Sequence, residues 1–136
     1  MADTLRLEIV TPLEVAFSED VEMVTLPAVE GQMGVYPAHV RVITQIEPGE
    51  IIVQAKGQER FLAVGEGLVE ITPDAVSIMT DMAIPAENID EVKAEEARAR
   101  AAARLREKIS DEEVATVNAS LVRSLAQLQV KRRRRM

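Results

Sequence analysis

This chain of 136 residues carries one histidine, His39, and no cysteine. A metal centre or a Ser-His-Asp arrangement would have to be built around His39 alone. It follows Tyr36-Pro37-Ala38 in an expected loop, with no HxxxH or HxxE spacing nearby. Gly31-Gln32-Met33-Gly34 is not the GxxxxGK[ST] cradle that opens a helix beneath a phosphate. Carboxylates are numerous but scattered along expected strand surfaces, where solvation is their ordinary role. The residue inventory points away from an enzyme, so no catalytic or metal-ligating residue is assigned.

Two basic features could bind something. Lys93, Arg100, Arg104 and Lys108 are spaced by seven, four and four residues, which places them on one helix face. That face is either a solvated stripe, partly paired with Glu96 and Glu107, or a contact for an acidic partner. Lys131, Arg132, Arg133, Arg134 and Arg135 form a basic terminus that could meet phosphate or an acidic protein surface, or simply fray. The charge is unevenly spread. Residues 1–85 hold 14 acidic and 4 basic side chains, whereas residues 86–136 hold 9 acidic and 12 basic. An acidic body with a basic arm suggests that the arm meets an acidic partner. Phe17, Tyr36 and Phe61 are the only aromatics, too few for base-stacking platforms.

The elements that must carry these groups divide sharply. No glycine or proline occurs from Ala86 to Met136, although six of each occur before it. The stretch is rich in Ala, Leu, Glu, Lys and Arg, so it reads as helix. Asn88 with Glu91, and Ser110 with Glu113, resemble capping boxes. They predict helices over about Ile89–Ile109 and Asp111–Val130, each ~30 Å long. Ala94, Ala97, Ala101 and Leu105 would face Val114, Val117, Leu121, Leu125 and Leu128 in an antiparallel hairpin. An alanine stripe buries little area, so at ~25 cal/mol per Å² the seam is worth only a few kcal/mol.

Before Pro85 the pattern is β. Leu5-Arg6-Leu7-Glu8-Ile9 and Leu13-Glu14-Val15-Ala16-Phe17 alternate with period two. Ser18-Glu19-Asp20 reads as a turn and Glu30 to Gly34 as a loop. Hairpins are expected around Lys56-Gly57-Gln58-Glu59 and around Pro73-Asp74. About ten short strands with turns every eight to twelve residues predict an all-β sandwich, followed by the two-helix hairpin. The division falls at 1–85 and 86–136. No apolar run approaches the ~20 residues of a membrane span, and the start lacks a signal-peptide pattern, so a cytosolic, soluble protein is expected.

Gly31 to His39, running on to Thr44 and Glu47-Pro48-Gly49, resembles the GxxGIxPGHxPLLTxLxPG block of the F-type ATP synthase epsilon-subunit family, whose mitochondrial counterpart is called delta. Gly65-Glu66-Gly67-Leu68-Val69-Glu70-Ile71-Thr72-Pro73, with Val76 and Asp81, resembles its second block. This resemblance implies a non-catalytic subunit of the central rotor stalk, at the cytoplasmic face of a bacterial inner membrane. Its partners would be the gamma subunit, the c-ring and the alpha/beta catalytic head, without nucleic acid. The sandwich would meet gamma and the c-ring through Gly31, Gln32, Met33, Gly34, Tyr36, His39 and Arg41. The arm, with Arg104, Lys108 and Lys131 to Arg135 as its basic face, would inhibit ATP hydrolysis.

Departures accompany the match. Ala38 stands where the family has glycine, Arg41 where it has proline, and Gln32 where an acidic residue is usual. Some bacterial members bind ATP through I/L-D-x-x-R-A and further arginines. Here the matching residues are Ile89, Asp90, Lys93 and Ala94, with Arg100 and Arg123, while Ile84 and Gln127 replace a glutamate and an arginine. Lysine is a point charge and lacks arginine's planar fork. No cofactor is expected, and ATP as a regulatory ligand would bind weakly or not at all. The alternative reading is a β-sandwich adaptor whose basic arm binds nucleic acid or anionic lipid.

Overall fold

Alternation builds the first strand: Leu5, Leu7 and Ile9 point inward and Arg6 and Glu8 outward along β1 (Leu5–Val10). The computed structural model describes residues 4–134, which form ten strands and two α-helices. The other strands are β2 (Val15–Val21), β3 (Met23–Ala28), β4 (Gly31–Val35), β5 (Val42–Ile46), β6 (Gly49–Ala55), β7 (Gln58–Val64), β8 (Gly67–Ile71), β9 (Ala75–Thr80) and β10 (Ala83–Pro85). One sheet runs β10-β7-β6-β3-β4 and the other β5-β8-β9-β1-β2, joined at the single pair Ala28–Ile46. Only β1 and β9 pair in parallel. The inner faces supply one core that includes Leu7, Ile9, Leu26, Ile51, Leu62, Ile71 and Ile78, and the fold is the expected sandwich followed by helices.

Two turn assignments need correction. Ser18-Glu19-Asp20 is strand, because β1 pairs with β2 continuously from Leu5–Val21 to Ile9–Phe17. Arg6 satisfies its polar groups, donating to Ser18 Oγ at 2.8 Å and Asp20 Oδ1 at 3.3 Å. The chain breaks only at Glu22. Gly31 to Gly34 is likewise not a loop but β4, held against β3 from Val24–Val35 to Ala28–Gly31, and the turn is Val29-Glu30. Ladder hydrogen bonds outweighed glycine's weak strand preference in both directions of this hairpin.

Both predicted hairpins form. The first is tighter than four residues: Ala55 pairs with Gln58, and Lys56 (φ 54°) and Gly57 (φ 73°) make a two-residue turn with both φ positive. The second closes through Thr72 and Ala75, next to Asp74. At Gly67 the requirement is space. A Cβ there would overlap the Met79 carbonyl oxygen on β9.

The arm begins with a short 3-10 helix (Ala86–Asn88), then α1 (Glu91–Leu105) and α2 (Asp111–Arg133). The first cap is Asp90, whose carboxylate accepts from Lys93 N at 3.1 Å, rather than Asn88, which the 3-10 turn absorbs. Ser110 caps α2 as expected, accepting from Glu113 N at 3.2 Å. α1 stops at Leu105, four residues short of Ile109, through i to i+3 bonds from Arg106 N to Ala103 O and Glu107 N to Arg104 O. Five residues are thus left for the reversal into α2. Lys108 lies in that connection, so it does not extend the α1 stripe of Lys93, Arg100 and Arg104. The helices are antiparallel: Arg132 near the end of α2 reaches Glu91 and Glu95 near the start of α1.

The seam also differs from the expected stripe. Ala94, Ala101 and Leu128 are buried, but Val114 and Leu125 are exposed. α2 has two partners rather than one. Its Ala126 and Val130, one turn apart, form a second cluster with Ala63, Met82, Ala86 and Ile89, packed by Phe61 and Ile84. Helix two therefore lies on the outer face of β6 and β7.

Candidate functional site

The residues assigned to partner contact fall into two settings. Gly31, Gln32, Met33 and Gly34 lie along β4, which pairs only with β3, and Met33 turns its side chain toward the core. Tyr36, His39 and Arg41 lie in the connection between β4 and β5. Ala38 N donates to Pro73 O at 2.7 Å and ties this connection to the β8–β9 turn, while His39 Nδ1 contacts Val40 O at 2.7 Å. Tyr36 and Val40 are 60% and 74% exposed, so the connection presents apolar surface beside the Arg41 charge. On the same sheet Leu68 and Met79 pair across β8 and β9 with their side chains outward, near exposed Ile43 on β5. The strip and the connection are the exposed apolar features of this part of the sandwich.

Ala38 adopts φ 67°, the left-handed region. An L-residue there is disfavoured by ~1–2 kcal/mol, whereas glycine is not, though glycine gives back ~0.4–1 kcal/mol in unfolded-chain entropy. Ala38→Gly is expected to raise stability by up to about 1 kcal/mol. A urea midpoint no higher than that of the parent chain would contradict this.

The arm presents the second site. Along one side of α2, at spacings of four, four and three, Arg123, Gln127, Lys131 and Arg134 reach toward the sandwich. Arg123 Nη1 donates to Asp81 Oδ2 at 3.2 Å, Gln127 Nε2 lies 3.0 Å from Met82 Sδ, and Lys131 Nζ donates to Ala86 O at 3.2 Å. Arg134 donates through Nε at 2.8 Å and Nη2 at 2.7 Å to the two oxygens of Glu50, and Arg133 Nη1 adds a contact at 3.3 Å. The Arg134 guanidinium also sits 3.8 Å above the Phe61 ring. Its acidity is weakened further by the hydrogen bonds to Glu50, against the opposing effect of burial.

Most of the assigned basic face is therefore engaged within the chain. Arg104 pairs with Glu107 and, at 2.6 Å, with Glu113. Lys108 is exposed, and Arg135 lies outside the described residues. Glu95 bridges Arg98 and Arg132, and chiefly its hydrogen bond with Arg98 holds its carboxyl below the usual range. Because that pKa is depressed on folding, its contribution to the hairpin is present above the unfolded-chain value. It is lost as pH falls through the folded one.

The residues resembling an ATP motif have other tasks. Ile89 and Ala94 are buried, Asp90 caps α1, and Arg123 is held by Asp81. Lys93 and Arg100 are exposed. The hollow beside Arg123 is lined by Glu66 and Asp81, two carboxylates against one arginine, a poor host for a triphosphate. Among the described residues no group of three His, Asp or Glu is placed to hold a metal, and no helix is long and apolar enough to cross a membrane.

Sequence reading overlooked Glu50, Phe61 and Asp81 as arm contacts. A signal was present: Ile51-Ile52-Val53 and Phe61-Leu62-Ala63-Val64 are continuous apolar runs, the mark of strands covered on both faces.

Comparison with known proteins agrees with this architecture. The family model for the β-sandwich domain of the ATP synthase delta/epsilon chain matches residues 4–86, and that for its long α-helix domain matches 87–132. An ATP synthase epsilon chain of Herpetosiphon aurantiacus is 39% identical over 96% of each chain. One from Alkalilimnicola ehrlichii is 37% identical over 97% of this chain and 95% of its own. A chain in the Euglena gracilis mitochondrial ATP synthase shares the fold, with TM-score 0.76 at 23% identity over 95% of this chain and 81% of that one. A sandwich and helical pair matched end to end by both family models, with relatives of this identity along nearly their full length, make this chain a member of the ATP synthase delta/epsilon family, a non-catalytic subunit of that complex.

Proposed function

We propose that this chain is the central-stalk subunit of a rotary ATP synthase, and that its helical arm is a movable brake on ATP hydrolysis. The observation that supports this reading is the separation of the two cores. No residue of the arm belongs to the main cluster of the sandwich, and the arm rests on an outer face through a small alanine-rich cluster and ion pairs. Such a seam can open without unfolding what lies beneath it.

In this reading the sandwich docks on the gamma subunit and the c-ring through Tyr36, Val40, Arg41 and the strip of Ile43, Leu68 and Met79. The complex would sit on the cytoplasmic face of a bacterial membrane. With its 15- and 23-residue helices laid end to end, the raised arm would span ~57 Å, long enough to enter a catalytic head from the stalk. The adaptor alternative is disfavoured because Arg132, Arg133 and Arg134 are directed at Glu91, Glu95 and Glu50 rather than gathered into a free basic surface. The test is ATP hydrolysis by complexes assembled with and without the arm. Equal rates would remove the brake from this reading.

ATP is not expected to set the arm's position. Titration calorimetry with magnesium-ATP should show a dissociation constant in the millimolar range or weaker. The ground is that Ile89 and Ala94 are buried, Asp90 caps α1 and Arg123 is held by Asp81, while Lys93 and Arg100 are exposed; a micromolar constant would overturn this.

A further inference from the structure

Among the described residues Glu50 is the one charged side chain that is buried; the other buried polar residues are Thr80 and Ser124. It lies on the outer face of β6, paired across the ladder with Ala63, whose side chain packs beneath α2. Its side chain is 5% exposed. A carboxylate in such a place is costly unless it is paired and hydrogen-bonded, and both of its oxygens are taken by the tail.

Elsewhere α2 meets the sandwich through the single Arg123–Asp81 pair, the Gln127–Met82 contact and a weakly specified apolar part. Its apolar members on α2, Ala126 and Val130, are small, and small contacts discriminate poorly between neighbouring registers of a helix on a sheet. The Arg134 fork is different. Two parallel donors on one carboxylate, with the guanidinium plane stacked on Phe61, define both position and orientation. Arg133 closes on the same carboxylate from the next residue. Glu50 thus gathers two consecutive arginines of the basic tail where the end of the arm meets the sandwich.

We propose that Glu50, with Arg133, Arg134 and Phe61, is a charge latch that holds the arm down and masks its basic end. Lifting α2 returns Glu50 to an exposed sheet face, where water replaces the arginines, and frees Arg133 and Arg134 for an acidic surface elsewhere. The latch is therefore bistable: the same cations are satisfied internally with the arm down and are available to a partner with it raised. This rests on reading the arm as movable, but it concerns what holds the arm, not what the raised arm does.

The lack of native cysteine permits a direct test on the isolated full chain. Spin labels at Gln58→Cys and Gln129→Cys, both exposed positions, report the separation of α2 from the β6–β7 turn by pulsed dipolar spectroscopy. With the latch intact, a single short distance should dominate. Glu50→Gln, and independently Arg133→Ala with Arg134→Ala, should each raise the ratio of long to short distances at least tenfold. The arginine pair lies at the end of α2, outside the sheet, so it serves even if Glu50→Gln disturbs the sheet. Arg132→Ala, which breaks only contacts between the helices, should leave the distribution as it was. Unchanged distances in both latch variants would overturn the proposal, as would release by Arg132→Ala equal to theirs. The measurement uses no synthase, so its failure leaves the brake to be judged by hydrolysis, and failure of the brake leaves the latch standing.

Discussion

An ATP synthase assembled with this chain cut after Asp90 should hydrolyse ATP roughly three- to tenfold faster than the intact complex, a change of about 1 kcal/mol in how often the brake is engaged. The cut is placed there because Ala86 and Ile89 are buried against the sandwich and belong with it. Removing α1 and α2 takes nothing from the main core, whose residues end at Ala83, so the sandwich should still fold and the complex still assemble. Phe61, Ala63 and Met82 become exposed, a modest apolar patch that can lower solubility but not coupling. Rates are best compared at equal subunit stoichiometry, confirmed on the purified complexes. If the truncated complex assembles and hydrolyses ATP no faster, the arm is not a brake.

The largest expected effect on stability belongs to Gly67→Ala. β8 and β9 approach so closely there that the added Cβ would overlap the Met79 carbonyl oxygen and crowd Thr80 Cα at 2.9 Å. These are backbone atoms in a paired ladder and cannot swing aside as a side chain end can. The strands must part, weakening the pair Gly67–Thr80 and the packing of Val69 and Ile78 behind it. A loss of about 3 kcal/mol is expected. With a urea slope of ~1–3 kcal/mol per molar, the midpoint falls by about 1.5 M. Gly57→Ala provides the contrast, since nothing lies within 4 Å of its Cβ and only its φ of 73° is strained. It should cost about 1–2 kcal/mol. Equal losses at the two positions would mean that close strand approach is not what Gly67 serves.

Much of the fold was legible because its signals are local. Leu5, Leu7 and Ile9 announce a strand by alternation, Lys56-Gly57 and Pro73-Asp74 announce turns, and Ser110 with Glu113 announces a helix start. The misreadings share one cause. Ser18-Glu19-Asp20 and Gly31 to Gly34 carry turn-like residues, yet each is held as strand by a neighbour distant in sequence, β1 or β3. At the first helix start, Asn88 and Asp90 are both competent caps. The intervening 3-10 turn, which buries Ile89 against the sandwich, decided between them.

The stretch assigned to partner contact was less legible than its blocks suggested. The glycine-rich stretch reads as one unit in sequence, but Gly31 to Gly34 form an edge strand while Tyr36, His39 and Arg41 lie in a connection fastened to Pro73. Ala38 holds the left-handed region although it is not glycine, a conformation that its residue type does not announce.

By itself, the sequence determined a β body, a helical arm and the charge difference between them, because periodicity, turn chemistry and composition act over a few residues. Only the tertiary structure decided where the arm lies and what holds it. Arg134 and Glu50 are 84 residues apart, and neither has a local feature that names the other. Their pairing follows from α2 being laid across β6 and β7, a placement set by long-range packing. That is why a tail that reads as free cation is, in the folded chain, largely spent on its own acidic surface.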